Sequence, residues 1–199
     1  MNSLVNGLET IPLSGCDLVS MATKLGNTHT RYIDEYDSLK NVKSVEELFQ
    51  GVNSVFILLD IFSDRNPMQH IGHWIVLCLG DKAIQFFDPY GNSLEKDLEL
   101  TGEEPYLQKL LYGYKLNENK HKLQAENDNV NTCGRHDVVR AVFHFLSNEE
   151  YYDRVIAPII KQKLVKNPDV FVSLMTAFLG CVSDVGDEKV MNFFRTNFE

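Results

Sequence analysis

Two apolar runs, SVFILLDI at 54–61 and HWIVLCL at 73–79, constrain this chain more than any other feature. Each is rich in β-branched and aromatic residues and lacks the polar alternation that a half-solvated strand shows. Strands of this kind are buried on both faces, so they predict a central sheet covered on each side, with helices as the cover. A third run, 83–87, follows Gly80-Asp81-Lys82. That spacing fits a β-hairpin whose glycine supplies a positive φ, and it makes 72–79 and 83–87 antiparallel neighbours. The predicted class is α+β, with a mixed or antiparallel central sheet.

Helical patterns flank these strands. Leu18, Met21, Ala22 and Leu25 recur at helical spacing between Ser14 and a stop at Gly26, and Ser44 with Glu47 has capping-box spacing ahead of a second helix. Residues 1–50 therefore read as an N-terminal helical lobe. A polar stretch from 88 to 131 opens with the turn Asp88-Pro89-Tyr90-Gly91-Asn92. It carries a short helix around Leu107 to Tyr112, a strand from Tyr114 to Leu116, and a return strand ending near Gln124. An amphipathic helix then begins at Cys133, with Val138, Val142, Phe145 and Leu146 on one face. Beyond it, 151–164 and 169–179 read as helices, the second opened by Asn167-Pro168 and closed by Gly180, and 187–198 as one more. With no repeat or linker-like tract, 1–199 is expected to be a single domain: the lobe 1–50, a core 51–147 and a helical extension 148–199.

Composition removes several classes of function. Nineteen Lys and Arg against 28 Asp and Glu leave a net charge of −9, which opposes constitutive nucleic-acid binding. The sequence has neither an apolar run of membrane-spanning length nor the basic and apolar regions of a signal peptide, so a soluble intracellular protein is expected. Cys16, Cys78, Cys133 and Cys181 show no CxxC spacing. A disulfide framework or zinc knuckle is not expected, and Cys16, Cys78 and Cys181 are most simply packed thiols, with an intermolecular disulfide through Cys16 or Cys181 as the alternative.

One constellation could carry chemistry. A cysteine becomes a nucleophile when a thiolate is available near neutral pH, and a helix N-terminus and an imidazole partner both favour that state. Cys133 has the first, its amide is placed to donate to an oxyanion, and Gly134 leaves room for a substrate backbone. The partner is a histidine held by a carboxylate. His73 begins one strand and Asp88 ends the next, so the hairpin brings both to one sheet edge. His70 and His136 are rival bases: His70 reads as a loop residue, and His136, together with Arg135, as fixing the start of the helix or contacting the neighbouring loop. A zinc site from His70, His73, Asp88 and Cys133 matches no compact ligand spacing. A packed cysteine, a hydrogen-bonded core histidine and a turn aspartate fit the same pattern, so spacing alone leaves the bland reading open. Glu95, Asp97, Glu99, Glu103 and Glu104 read as a solvated acidic face.

The segments GHWIVL (72–77), FFDPYGN (86–92), Gln124 and NTCGRH (131–136) follow the order His, Asp, Gln, Cys. This order resembles the adenovirus-type maturation cysteine proteases, and is most similar to the versions carried by virophages and related large DNA transposons. SUMO-specific proteases share the arrangement more distantly. Tyr36-Asp37-Ser38-Leu39 and Val45-Glu46-Glu47-Leu48 also resemble the virophage versions. The resemblance implies an adenovirus protease-like fold with Cys133 as nucleophile, His73 as base, Asp88 as its orienting carboxylate and Gln124 as oxyanion donor. Trp74 would shield the imidazole beside Gly134 on the substrate path. Gln124 lies nine positions before Cys133, a longer loop than the family's, and Asn127, Asn129 and Asn131 are alternative donors.

What the resemblance implies for function is a cysteine endopeptidase cleaving viral capsid or penton precursors during maturation. The expected location is the virion and the virus factory in the cytoplasm of the infected host cell. No metal or other cofactor is expected, and the family's DNA activation is not carried over to so acidic a chain. The alternatives are a ubiquitin- or SUMO-like deconjugating protease and a non-catalytic peptide-binding virion protein.

Overall fold

The computed structural model describes residues 9–62, 70–126 and 130–181. Its frame is a five-stranded mixed sheet in which spatial order follows chain order: β1 (Thr30–Ile33), β2 (Ser54–Phe62), β3 (His70–Leu79), β4 (Ile84–Phe87) and β5 (Leu116–Glu118). The three central strands are antiparallel, while β1 runs parallel to β2 and β5 parallel to β4.

The two apolar runs behave as their composition requires. Phe56, Trp74, Val76, Cys78 and Phe87 join one buried cluster, and Val55, Ile57, Leu59, Ile75, Leu77, Ile84 and Phe86 join the other. Successive side chains thus supply two cores, one on each face of the sheet. Helix α1 (Gly15–Lys24) contributes to the first core, together with α5 (Cys133–Val142), α6 (Asn148–Tyr151), the π-helical turn Tyr152–Ile156, α7 (Ala157–Lys161) and α8 (Pro168–Cys181). The second core lies under a 3₁₀ turn (Tyr36–Asn41), α2 (Val45–Phe49), α3 (Leu94–Thr101) and α4 (Tyr106–Leu110).

Several boundaries differ from the sequence expectation. The N-terminal lobe includes β1, whose four residues are too few to show a period. His70 lies in the backbone of β3, paired with Phe62, and not in a loop. The strand after α4 is Leu116–Glu118, and no return strand forms at Gln124, where Leu123 and Gln124 donate their amides to Pro89 O. Ser44 accepts from Glu47 N, but the Glu47 carboxylate takes the Lys43 amide, so the box is not reciprocal; Ser14 with Asp17 and Ser147 with Glu150 form complete ones. Helix α5 stops at Val142, which leaves Phe145 exposed. Helix α8 runs past Gly180 to Cys181, and Asn167 caps it through the Val170 amide. Cys16 is exposed, with its thiol 3.4 Å from the Tyr32 hydroxyl, while Cys78 is buried as expected. The acidic face is broken by Asp97, which is buried. The expected helix at 187–198 lies outside the described residues. Among those residues, no helix is long and apolar enough to cross a membrane.

Candidate functional site

Strand β3 outruns β4. Their pairing ends at Val76 opposite Phe87, so His73 sits on a flank of β3 that β4 no longer covers. Asp88 follows immediately after Phe87, and the turn behind it folds onto the carboxylate. Tyr90 N donates to Asp88 Oδ1 (3.1 Å) and Asn92 N to Oδ2 (2.8 Å), while Asn119 Nδ2 donates to the Asp88 carbonyl (2.8 Å). Gly91 has a φ of 77°, and a Cβ there would meet the His121 backbone at 3.0 Å, so this tight turn needs glycine. Into this cradle the His73 ring presents Nε2, 2.7 Å from Asp88 Oδ1, with Asp88 fully buried and His73 5% exposed.

Cys133 is the first residue of α5 and faces His73. Its N-cap, Thr132, makes no side-chain cap bond, and the first intrahelical bond runs from His136 N to Thr132 O. Burial pushes the Cys133 thiol up, but the imidazole beside it and the amides of Trp74 and Gly134 outweigh burial and hold it below its ordinary range. The converse holds for His73. Burial opposes its positive charge, yet hydrogen bonding to Asp88 and to Cys133 raises the imidazole well above its usual value. Both shifts favour a thiolate beside an imidazolium.

Gln124 is 2% exposed and reaches this group through Tyr90. Its Nε2 donates to the Tyr90 hydroxyl (3.0 Å) and to Val130 O (3.3 Å), and the Tyr90 ring lies 5.1 Å from the His73 ring, centroid to centroid. Tyr90 is a neighbour that spacing did not single out; its place in the Asp-Pro-Tyr-Gly turn is the signal that carries it there. Burial and the nearby acidic groups push its phenol up to about 12, so it stays protonated. Of the alternative donors, Asn131 faces away, giving Nδ2 to Thr10 O, and Asn127 and Asn129 lie outside the described residues.

Trp74 and Gly134 are packing partners. The indole is 5% exposed and donates Nε1 to Leu13 O (2.9 Å). A Cβ at 134 would lie 2.8 Å from Leu18 Cδ2 and 3.4 Å from Trp74 Cδ1, so the bare glycine lets α5 close onto α1 and β3. His136 turns away from the thiol and pairs with Asp169 (3.1 Å). The His70 side chain lies outside the described residues. Two further buried acids surround the site. Burial, then the negative charge of Asp88, pushes Asp97 up to about 7. Asp137, one turn beyond Cys133 with neither oxygen partnered, is raised well above the carboxylate range by burial and then by the Cys133 charge. Among the described residues, His73, Asp88 and Asp97 form the one group whose ligand atoms lie within 4.8 Å of one another and could hold a metal ion.

No family model matches the chain. It is 26% identical over 180 residues to Uncharacterized protein V9 of Sputnik virophage, an alignment covering 84% of this chain and 95% of that protein. A solved structure, the C-terminal Ulp1 protease domain in complex with Smt3, the yeast ortholog of SUMO, aligns at 12% identity. That match covers 83% of this chain and 77% of the other with a TM-score of 0.36, a value too low to establish a common fold.

Proposed function

We propose that the chain is a cysteine endopeptidase with Cys133 as nucleophile. The observation that carries this is the buried 2.7 Å pair of His73 and Asp88, set against a cysteine that opens a helix. The Asp88 carboxylate fixes the ring with Nε2 toward itself, which leaves the other ring nitrogen for the thiol. The thiol proton passes to His73, and the thiolate attacks a peptide carbonyl to form a tetrahedral oxyanion. The Cys133 amide and the Gln124 side-chain amide hold that oxyanion, the second after its hydrogen leaves Tyr90 or Val130. His73 then protonates the leaving amine, and water hydrolyses the thioester. The chemistry calls on no metal.

The similarity to a virophage protein, with the resemblance to maturation proteases, favours viral capsid or penton precursors as substrates. The test is incubation of the protein and its Cys133→Ala variant with the capsid proteins of the same genome, reading new N-termini by mass spectrometry. Defined cuts by the parent alone support the reading. Cleavage only of folded modifier conjugates, with short peptides left intact, points instead to a deconjugating protease, and an inert, unreactive Cys133 to a binding protein.

A further inference from the structure

We infer that Asp169, on a helix of the C-terminal extension, is a positioning residue that sets the distance between the two oxyanion donors, Gln124 and the Cys133 amide. This deepens the proposed function and rests on it. Asp169 is 2% exposed, and its side chain has three partners, each beside a different part of the site. Thr132 Oγ1 donates to Oδ1 at 2.5 Å, and Thr132 immediately precedes the nucleophile. Ala125 N donates to Oδ2 at 3.1 Å, and Ala125 immediately follows Gln124. His136 Nε2 lies 3.1 Å from Oδ1, which holds the first turn of α5 from its far side.

The need for such a tie follows from the chain path. The two donors stand at opposite ends of the polar stretch 125–132, whose described residues contribute no strand to the sheet. A direct link across the loop exists, from Gln124 Nε2 to Val130 O, but it occupies a hydrogen the oxyanion would take. Asp169 bridges the same two ends without using either donor. A carboxylate suits the task because its two oxygens accept from both ends at once through charge-assisted bonds. The hydroxyl of Thr132, drawn to Asp169, is also kept from capping the first-turn amides of α5. Arg135 adds a second fastening of α5 to α8, with Nη1 donating to Thr176 Oγ1 at 2.7 Å.

Two reagents separate positioning of the hole from general support of the thiol. Alkylation of Cys133 by iodoacetamide passes through no oxyanion, whereas acylation by p-nitrophenyl acetate does. Both rates are followed at Cys133 by mass spectrometry in the parent, Asp169→Asn and Thr132→Val. Asp169→Asn is expected to keep the alkylation rate within about twofold and to lose acylation by about tenfold to a hundredfold, the scale set by a displaced catalytic group. Thr132→Val, which removes one tie, shifts the same ratio less and carries the test if Asp169→Asn does not fold. Equal loss of both rates, or of neither, overturns the inference while leaving the proposed function standing. A parent whose Cys133 reacts with neither reagent overturns both.

Discussion

His73 Nε2 and Asp88 Oδ1 lie 2.7 Å apart although their residues are not level in the sheet: the last β3–β4 pair is Val76 with Phe87, three positions past His73 and one before Asp88. The turn at 88–92 closes the gap by folding its amides onto the carboxylate. Replacing the carboxylate removes the charge that holds the imidazole high. Asp88→Asn is therefore expected to lose peptide turnover by on the order of a hundredfold or more.

The same pair sets a pH signature. The Cys133 thiol is depressed and the His73 imidazole raised, and both shifts favour the thiolate–imidazolium state. Iodoacetamide should alkylate Cys133 at about pH 6, where ordinary thiols are protonated and Cys78, raised by burial, stays inert. In Asp88→Asn this acid-side reactivity should fall toward that of a free thiol. Mass-spectrometric alkylation rates across the pH range check both expectations, and an unchanged acid limb in the variant would exclude Asp88 as the group that raises His73.

Gln124 is tied to the site by an amide whose donors point at Tyr90 and Val130. If its task is to hold the oxyanion, the loss belongs to the transition state and not to binding. Gln124→Ala should lower kcat by about a hundredfold with KM nearly unchanged. Steady-state kinetics on a cleaved peptide decide this, and a change confined to KM would assign Gln124 to substrate binding.

Asp88 and Cys133 are legible in the sequence because local pattern marks a hairpin end and a helix start there, whereas His73, read as a strand start, lies three residues inside β3, paired with Leu59. The centre of the sheet is legible because SVFILLDI and HWIVLCL leave no polar face, whereas the short outer strand β1 is not. What supports the site is not legible. Asp169, Arg135 and Arg140 meet their partners through pairings across helices and loops, and nothing in the spacing of a charged residue shows that it is buried. Asp97 shows the same limit, since it lies among acidic neighbours and only the turn of α3 takes it inward. His136 is the partial case: its role at the helix start can be read, but its partner 33 positions away cannot.

Arg140 near the end of α5 is fully buried and fastens the connection to α6. Its Nε donates to Asn148 Oδ1 (3.0 Å), Nη1 to Phe143 O (2.8 Å) and Nη2 to Leu146 O (2.7 Å), with the Tyr151 ring 5.3 Å away. Asn148 in turn donates Nδ2 to Phe86 O and Asn117 O at 2.8 Å, joining the extension to β4 and β5. Arg140→Met keeps the apolar stem but strands two buried carbonyls and an amide oxygen. It should destabilise the protein by about 3 kcal/mol, read as a lower urea midpoint. A shift within about 0.5 kcal/mol would mean that water or a rearranged loop satisfies those groups.

Asp97 makes stability fall with pH in a defined interval. Its Oδ1 accepts from Asn92 Nδ2 at 2.9 Å, while Oδ2 is buried without a partner, a site that suits a neutral carboxyl. In the unfolded chain the group titrates near the ordinary value of about 4, whereas in the fold it is pushed up to about 7. Below about pH 4 both states are protonated and the group contributes nothing to pH dependence. From about pH 4 to pH 7 only the unfolded chain releases the proton, so stability drops by up to about 1.4 kcal/mol per pH unit, and above that interval the loss is complete. Asp97→Asn keeps the shape and the Asn92 bond without a titrating proton. Its stability relative to the parent should therefore rise across that interval, in urea unfolding at about pH 4.5, 6 and 7.5. Parallel curves for the two proteins would mean that Asp97 is ionised in the fold, and would place a compensating donor at Oδ2.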